Sequence, residues 1–293
     1  MNLAQFNAKS LVLTLAAAAS VLSLRVQAIE YDLTAVGSQS LNVAGGYGGT
    51  AIVQDYWSQP TGTGVFKPFL SLQSPNGQVK TEHAYNTDGF TNLFLDANRP
   101  QWNNRLKVGD LETVTLGSLN YFAFVLDANE PGGDKSLISV DNIRIYTSAT
   151  DNTASVGNNI ANLDNLGTLR WALNNPTLNS TNATDYNKQN WIKLDSAQEN
   201  TFNNSNGGSG MADMVIFIPQ SAFAGVSLSD YLWFYNLNGA HYSVDKDLAS
   251  QAGFEEWSAF TRTTPVEVPD NGTTAILLGA GMILAGLLRR KAV

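Results

Sequence analysis

The 293-residue chain contains no cysteine and only two histidines, His83 and His241. Without cysteine there is no disulfide framework, no thiol nucleophile and no cysteine-ligated zinc or iron–sulfur centre. Two histidines this far apart also argue against a histidine-rich metal site. The sequence therefore indicates no thiol chemistry and no metal site built from cysteine or from several histidines.

Charged residues are also scarce, at 14% of the chain, whereas globular proteins average about 25%. The 17 basic residues are outnumbered by 25 acidic ones, giving a net charge of −8. Binding to nucleic acid requires a basic surface, so we expect no nucleic-acid partner. Asparagine, threonine, serine and glycine supply most of the polarity, which favours a β-rich extracellular protein over long helices.

Residues 1–28 have the features of a secretory signal peptide. Lys9 precedes an apolar stretch over residues 11–24, and small residues at Val26 and Ala28 predict cleavage by signal peptidase after Ala28. The alternative is an uncleaved membrane anchor. Fourteen residues at ~1.5 Å rise are too short for a ~30 Å hydrocarbon core, which favours the signal peptide.

Residues 265–293 form a second address, built from a short motif, an apolar run over residues 273–288 and a basic cluster. The motif comprises Val268, Pro269, Asp270, Asn271 and Gly272, and the cluster comprises Arg289, Arg290 and Lys291. An apolar helix that ends in basic residues keeps its basic end in the cytoplasm. The alternatives are a plain tail anchor or a helix-dimerisation face, because small residues recur within the run.

This three-part tail resembles the C-terminal sorting signal of exosortase substrates, the PEP-CTERM class, and is most similar to its VPDSG-CTERM variant. Asn271 stands where that variant usually has serine. The resemblance implies that an exosortase, a membrane sorting enzyme, recognises and removes the tail. It also implies export to the cell envelope, cell surface or medium, with the C-terminal helix anchoring the chain in the membrane before processing.

Between the two addresses, residues 29–264 form one predicted domain. Five bases and one acid lie in the ends, which leaves 12 bases against 24 acids in residues 29–269. Short apolar runs alternate there with turn-forming residues, which predicts an all-β fold: a single, jelly-roll-like β-sandwich with long loops at 174–190 and 198–210. The predicted strands are Ser40–Val43, Gly64–Gln73, Leu93–Asp96, Leu111–Leu116, Tyr121–Asp127, Leu137–Tyr146, Thr168–Leu173, Trp191–Leu194, Met214–Ile218 and Tyr231–Leu237.

Two of these strands have informative patterns. The continuous apolar run Met214–Ile218 predicts a central strand buried on both faces, whereas partial alternation over Val140–Tyr146 predicts a strand buried on one face. Several stretches of this domain resemble PEP-CTERM-associated extracellular proteins of uncharacterised function, a resemblance that implies no enzyme activity. These stretches are Gly62–Gln73, Ala84–Gly89, Phe124–Tyr146, Asn190–Asp195, Met211–Pro219 and Gly253–Trp257.

The densest acidic loop offers the best metal candidates: Asp127, Asn129, Glu130 and Asp134. Hard cations take several oxygen ligands, and Asp and Asn at alternate positions beside flexible glycines supply them. The spacing lacks the closing glutamate of an EF-hand. No cofactor is certain from the sequence; Ca²⁺ is the candidate, and the alternative is a hairpin whose acids are simply solvated.

Three aromatic residues at alternate positions, Tyr231, Trp233 and Tyr235, are candidates for binding carbohydrate such as exopolysaccharide. In a strand they share one face, where aromatic rings could stack on sugars. The alternative is that these rings fill the core, where large aromatic side chains are usually found.

Nothing in the sequence assembles a hydrolase. The adjacent acids Glu255 and Glu256 point to opposite faces of a strand and make a poor acid–base pair, and neither histidine has a visible serine or aspartate partner. We therefore expect a non-enzymatic cell-surface or extracellular-matrix protein. The alternatives are a carbohydrate-binding module, stabilised by Ca²⁺, and a secreted glycoside hydrolase.

The calcium hypothesis predicts a change in thermal stability. Added Ca²⁺ should raise the melting temperature, because an ion that binds only the folded state stabilises it. The increase should disappear in Asp127→Ala. A melting curve that Ca²⁺ leaves unchanged contradicts the hypothesis.

Overall fold

A computed structural model of the chain describes residues 28–35, 40–44, 46–55, 67–74, 80–131, 135–174, 189–197, 212–251 and 253–262. The protein is mostly β-strand, in two sheets with a few short helices, which confirms the all-β class. Residues 1–27, the whole sorting tail, Asp134 and nearly all of the two predicted long loops lie outside the described residues. Within the described ranges, no helix is long and apolar enough to cross a membrane.

Fourteen strands run through the described residues. They are β1 (Glu30–Asp32), β2 (Ser40–Val43), β3 (Ala51–Gln54), β4 (Pro68–Leu72), β5 (Glu82–Tyr85), β6 (Leu106–Lys107), β7 (Thr113–Leu116), β8 (Leu119–Asp127), β9 (Leu137–Ser148), β10 (Thr168–Ala172), β11 (Trp191–Asp195), β12 (Met214–Pro219), β13 (Tyr231–Asn238) and β14 (Glu255–Ala259). The first sheet has the order β1-β11-β9-β13-β5, with β10 paired to β9 and β6 paired to β13. The second sheet has the order β2-β3-β12-β8-β14-β4, with β7 paired to β8. β1 and β11 pair in parallel, and the other strand pairs are antiparallel.

Aromatic contacts join the two sheets face to face. Phe234 of β13 lies in the first sheet, and its ring centroid is 4.7 Å from Trp257 of β14 and 5.5 Å from Phe69 of β4, both in the second. Phe234 and Trp257 have no exposed surface. Because side chains alternate along a strand, Leu232 points into the same core as Phe234. The common core therefore lies between the sheets.

A second hydrophobic cluster covers the outer face of the first sheet. It is formed by the short helix α1 (Thr153–Val156) and a 3₁₀ helix over Ile160–Leu166, which pack on Trp233 and Tyr235 of β13. The Tyr85 hydroxyl donates a hydrogen bond of 2.9 Å to the Gly157 carbonyl and ties this cover to β5. The first sheet is consequently buried on both of its faces here.

The local sequence pattern is sufficient to predict most of the strands listed above. Nine of the ten predicted strands coincide with observed ones, and the central, doubly buried position of β12 is confirmed. The segment Leu93–Asp96 is not a strand, since it turns through Leu95 at a positive φ of 59°. The one-face prediction for Val140–Tyr146 is wrong, because α1 and the 3₁₀ helix cover the face that was expected to meet solvent.

Because β12 is central and buried, truncating one of its core side chains should lower the free energy of unfolding substantially. Ile216 is fully buried, so Ile216→Ala should lower the free energy of unfolding by about 2–5 kcal/mol. Val244 is 63% exposed, and Val244→Ala should change it by less than about 0.5 kcal/mol. Urea unfolding followed by tryptophan fluorescence measures both. Equal, small effects contradict this placement of β12.

Candidate functional site

His241 belongs to a buried network that includes Ser139 and Asp141 of β9. Its Nδ1 contacts Oδ1 of Asp141, and the indole ring of Trp191 stacks on the imidazole with centroids 4.2 Å apart. The other Asp141 oxygen accepts hydrogen bonds from the Ser139 hydroxyl at 2.9 Å and from the Ala240 N–H at 2.5 Å. Residues 100 positions apart in sequence thus meet, a partnership that the sequence did not show.

The Ser139–Asp141–His241 network lacks the geometry of a hydrolase triad. A catalytic serine must lie beside the histidine nitrogen that the aspartate does not hold, and must be open to substrate. Ser139 instead donates to Asp141 and has no exposed surface. The network fastens the segment around Ala240 and His241 to β9.

His83 also lies beside an aspartate. Its Nε2 is 3.7 Å from Oδ2 of Asp96, and its backbone N–H donates to the same oxygen at 2.9 Å. The ring Nδ1 is 3.3 Å from the hydroxyl of Tyr235. Burial lowers the pKa of His83, and the charge of Asp96 opposes this shift. These contacts hold the loop that carries Asp96 against β5.

Two glutamates face each other inside the sandwich. Glu82 of β5 and Glu255 of β14 have no exposed surface, and each lies two residues from an interior residue of its strand, Ala84 and Trp257. The two carboxyl groups are close enough for the charge of Glu82 to act on Glu255. The Asn238 side chain donates to Glu82 Oε1 at 2.8 Å.

Burial favours the protonated form of both Glu82 and Glu255. No N–H or O–H group of the described chain satisfies either oxygen of Glu255, and two carboxylates can hydrogen-bond only when one is protonated. Burial raises the pKa of Glu255 well above its usual range, and the neighbouring charge of Glu82 adds to the shift. Burial also raises the pKa of Glu82. The two groups therefore titrate as a pair.

The position of this pair argues against glycoside hydrolysis. Catalytic carboxyl groups flank a sugar in an open groove, about 5–9 Å apart. Glu82 and Glu255 are both closed off from solvent, so a sugar cannot reach them.

Three acids, Asp127, Asp213 and Glu256, lie in a row on the outer face of the second sheet, the face turned away from the core. Glu256 is directly across from Asp127, and the pairing of Met214 with Leu126 brings Asp213 to the other side of Asp127. Burial, followed by the charge of Asp127, raises the pKa of Glu256 to about 7. The same two causes raise the pKa of Asp213 well above its usual range. The neighbouring acids Glu255 and Glu256 of β14 thus point to opposite faces of the second sheet, as the sequence predicts.

The predicted calcium loop makes internal contacts. The Asn129 amide donates to the Phe254 carbonyl at 3.0 Å, and both Glu130 oxygens accept from the Gln251 N–H at 3.0 Å. A Cβ on Gly253 would lie 1.8 Å from the Asn129 carbonyl oxygen, so only glycine fits there. Among the residues that the structure describes, which omit Asp134, no three acidic or histidine side chains are grouped to hold a metal ion.

The predicted aromatic set does not form an open platform. Tyr231, Trp233 and Tyr235 share one face of β13, but α1 and the 3₁₀ helix cover that face and leave Trp233 and Tyr235 without exposed surface. The Trp233 indole donates to the Ser148 hydroxyl at 2.8 Å. Tyr231 is partly exposed and stacks on Trp233, with centroids 5.4 Å apart. The alternative interpretation, burial by packing, describes Trp233 and Tyr235.

An open cleft of about 650 Å³ lies at one end of the second sheet. Asn42, Gly49 and Thr50, from β2 and the approach to β3, line one part of it. Residues 118–121, from the β7–β8 turn and the start of β8, and residues 219–221, from the end of β12, line the rest. Within the part of the chain that the structure describes, the lining contains amides, hydroxyls and apolar groups but no charged side chain.

Sequence reasoning did not single out this cleft. Its three parts are far apart in the chain and come together because β8 pairs with β12, which places Tyr121 opposite Pro219. Serine, threonine and asparagine are common throughout the sequence, so their presence at these positions gives no local signal.

Comparisons with known proteins find no match: no protein-family model, no curated protein and no solved structure is significantly similar to this chain. Function therefore has to be argued from the fold and from these sites.

The Glu82–Glu255 pair predicts an unusual dependence of stability on pH. A raised folded-state pKa contributes stability below the unfolded pKa of about 4.5, and this stability is lost as pH rises toward the folded pKa. Glu255→Gln, which cannot ionise, should therefore gain stability over the wild type as pH rises above 4.5, by at most about 1.4 kcal/mol per pH unit.

The measurement is the free energy of urea unfolding between pH 4 and pH 9. The matched control is Glu112→Gln, at an exposed acid, which should leave the wild-type pH profile unchanged. A Glu255→Gln stability profile that runs parallel to that of the wild type contradicts the raised pKa of Glu255.

Proposed function

We propose that this protein is an exported, non-enzymatic cell-surface or extracellular-matrix protein. In this proposal, residues 29–264 form a single jelly-roll-like β-sandwich between a signal peptide and a C-terminal sorting helix. Signal peptidase removes the first address, and an exosortase-type enzyme recognises the second. The membrane helix holds the chain in the envelope until that second step.

The observation that carries this proposal is the interior position of four groups that could do chemistry. Glu82, Glu255, Ser139 and Asp141 are at most 1% exposed, and their contacts are with other parts of the same fold. Catalysis needs such groups to reach a substrate. Groups placed in this way support a structural or binding role in preference to a reaction.

A protein without cysteine that functions outside the cytoplasm must be held together without disulfides, by packing and hydrogen bonds. The aromatic contacts of Phe234 and the cover over β9 and β13 supply that packing. The excess of acids in residues 29–269 supports an accessible surface that repels anionic polymers. Both features suit an exposed cell-surface protein.

Carbohydrate binding is the second candidate function, and the uncharged cleft is the observation that favours it. The residues first expected to bind sugar, Trp233 and Tyr235, are buried, so this candidate now depends on the cleft.

Mass spectrometry of the full chain, recovered from the cells that produce it, tests the proposal. We expect an N-terminus at Ile29 and loss of the apolar run and basic cluster, since both addresses are substrates for processing. Changing Pro269 and Asp270 to alanine should preserve the tail, whereas Thr264→Ala, just outside the motif, should be processed normally. A wild-type chain that still carries residues 270–293 contradicts sorting and indicates a simple tail anchor.

A further inference from the structure

We propose that the cleft formed by Asn42, residues 49–50, residues 118–121 and residues 219–221 binds a neutral saccharide chain. This inference deepens the proposed function, on which it rests, by naming the class of ligand that the exported protein holds. It concerns a different surface from the aromatic face of β13.

The charge of the lining selects a neutral ligand. The chain as a whole carries a net charge of −8, yet none of the described residues that line the cleft is acidic or basic. An anionic ligand would find no cation to pair with, and the acidic protein would repel it. A cationic ligand would find no carboxylate. A ligand whose polarity comes from hydroxyl groups meets neither penalty.

The hydrogen-bonding groups of the lining match those of a sugar. The amides of Asn42, Asn120 and Gln220 each present donors and an acceptor, and the hydroxyls of Thr50 and Ser118 can do both. A sugar hydroxyl is likewise both a donor and an acceptor. A mixed set of this kind can therefore satisfy a row of hydroxyl groups.

Apolar groups complete the lining. Leu119 is 60% exposed at the tip of the β7–β8 turn, and the Pro219 ring is partly exposed at the end of β12. Sugars carry C–H groups on their ring faces, and these need an apolar surface to cover them. The cleft volume of about 650 Å³ lies within the roughly 300–1,000 Å³ of small-molecule sites, and its open shape suits a segment of a longer chain.

The lining is also held in place before any ligand arrives. The Asn120 amide oxygen accepts from the Thr115 hydroxyl at 2.9 Å across the β7–β8 pair, and Gln220 Nε2 reaches the Thr113 hydroxyl at 3.5 Å. Tyr121 is paired with Pro219 across β8 and β12. Groups fixed by strand pairing lose little freedom on binding, which reduces the entropic cost.

The test is isothermal titration of the full chain, purified in a detergent without a sugar head group. The probes are four neutral hexasaccharides, from cellulose, laminarin, starch and xylan, with hexagalacturonate as the anionic probe. We expect at least one neutral probe to bind and the anionic probe not to bind. Asn120→Ala should weaken binding by about 3- to 10-fold, the effect of losing one or two neutral hydrogen bonds.

Two further variants make the result specific to the cleft. Leu119→Asp places a charge at the start of β8, where the side chain is 60% exposed, and should weaken binding by 10-fold or more with little change in the melting temperature. Asn92→Ala removes an exposed amide outside the lining and should bind like the wild type.

Three results overturn the proposal: no neutral probe binds, the anionic probe binds better, or Leu119→Asp binds as well as the wild type. None of these results bears on the chain ends found by mass spectrometry. Failure of the cleft proposal is therefore distinguishable from failure of the export proposal.

Discussion

The packing of Phe234 against Trp257 and Phe69 is the contact on which the other features depend, because it fixes which face of each sheet is inside. With Phe234 inward, the alternation of β13 turns Trp233 outward, where helix α1 and the 3₁₀ helix cover it. With Trp257 inward, Glu255 must also point inward and Glu256 must point outward. One interior contact therefore determines both the covered face of the first sheet and the positions of the buried acids.

Burying Glu255 opposite Glu82 is costly, since a charged group loses its hydration in the interior. Protonation, which burial favours, and the hydrogen bond from Asn238 to Glu82 offset part of that cost. The Asp141–His241 network follows the same logic, with Ser139 and a backbone N–H satisfying the carboxylate. In a chain without disulfides, such networks add geometric constraints that hydrophobic packing does not supply.

The sequence predicted those elements whose pattern is local. The apolar run Met214–Ile218 identified the central strand. Alternation along β13 correctly placed Trp233 and Phe234 on opposite faces of the sheet. The sequence placed Glu255 and Glu256 in a strand but gave no bounds for it, because the two acids interrupt the apolar pattern by which strands are recognised. The covering segment 153–166 was missed because its helices are too short to show a period, and this omission led to the one-face prediction for β9.

The sites were less predictable than the strands, because each joins distant parts of the chain. His241 and Asp141 are 100 residues apart, and the cleft draws on three separate segments. No local pattern marks a surface that is defined by missing charge.

The most direct test of the account is to map amide NMR shifts while a neutral hexasaccharide is titrated into the protein. The account predicts that the largest shifts fall at residues 42, 49–50, 118–121 and 220–221. Shifts that centre on Tyr231 or on the loop at Asn129, or no shifts at all, contradict it.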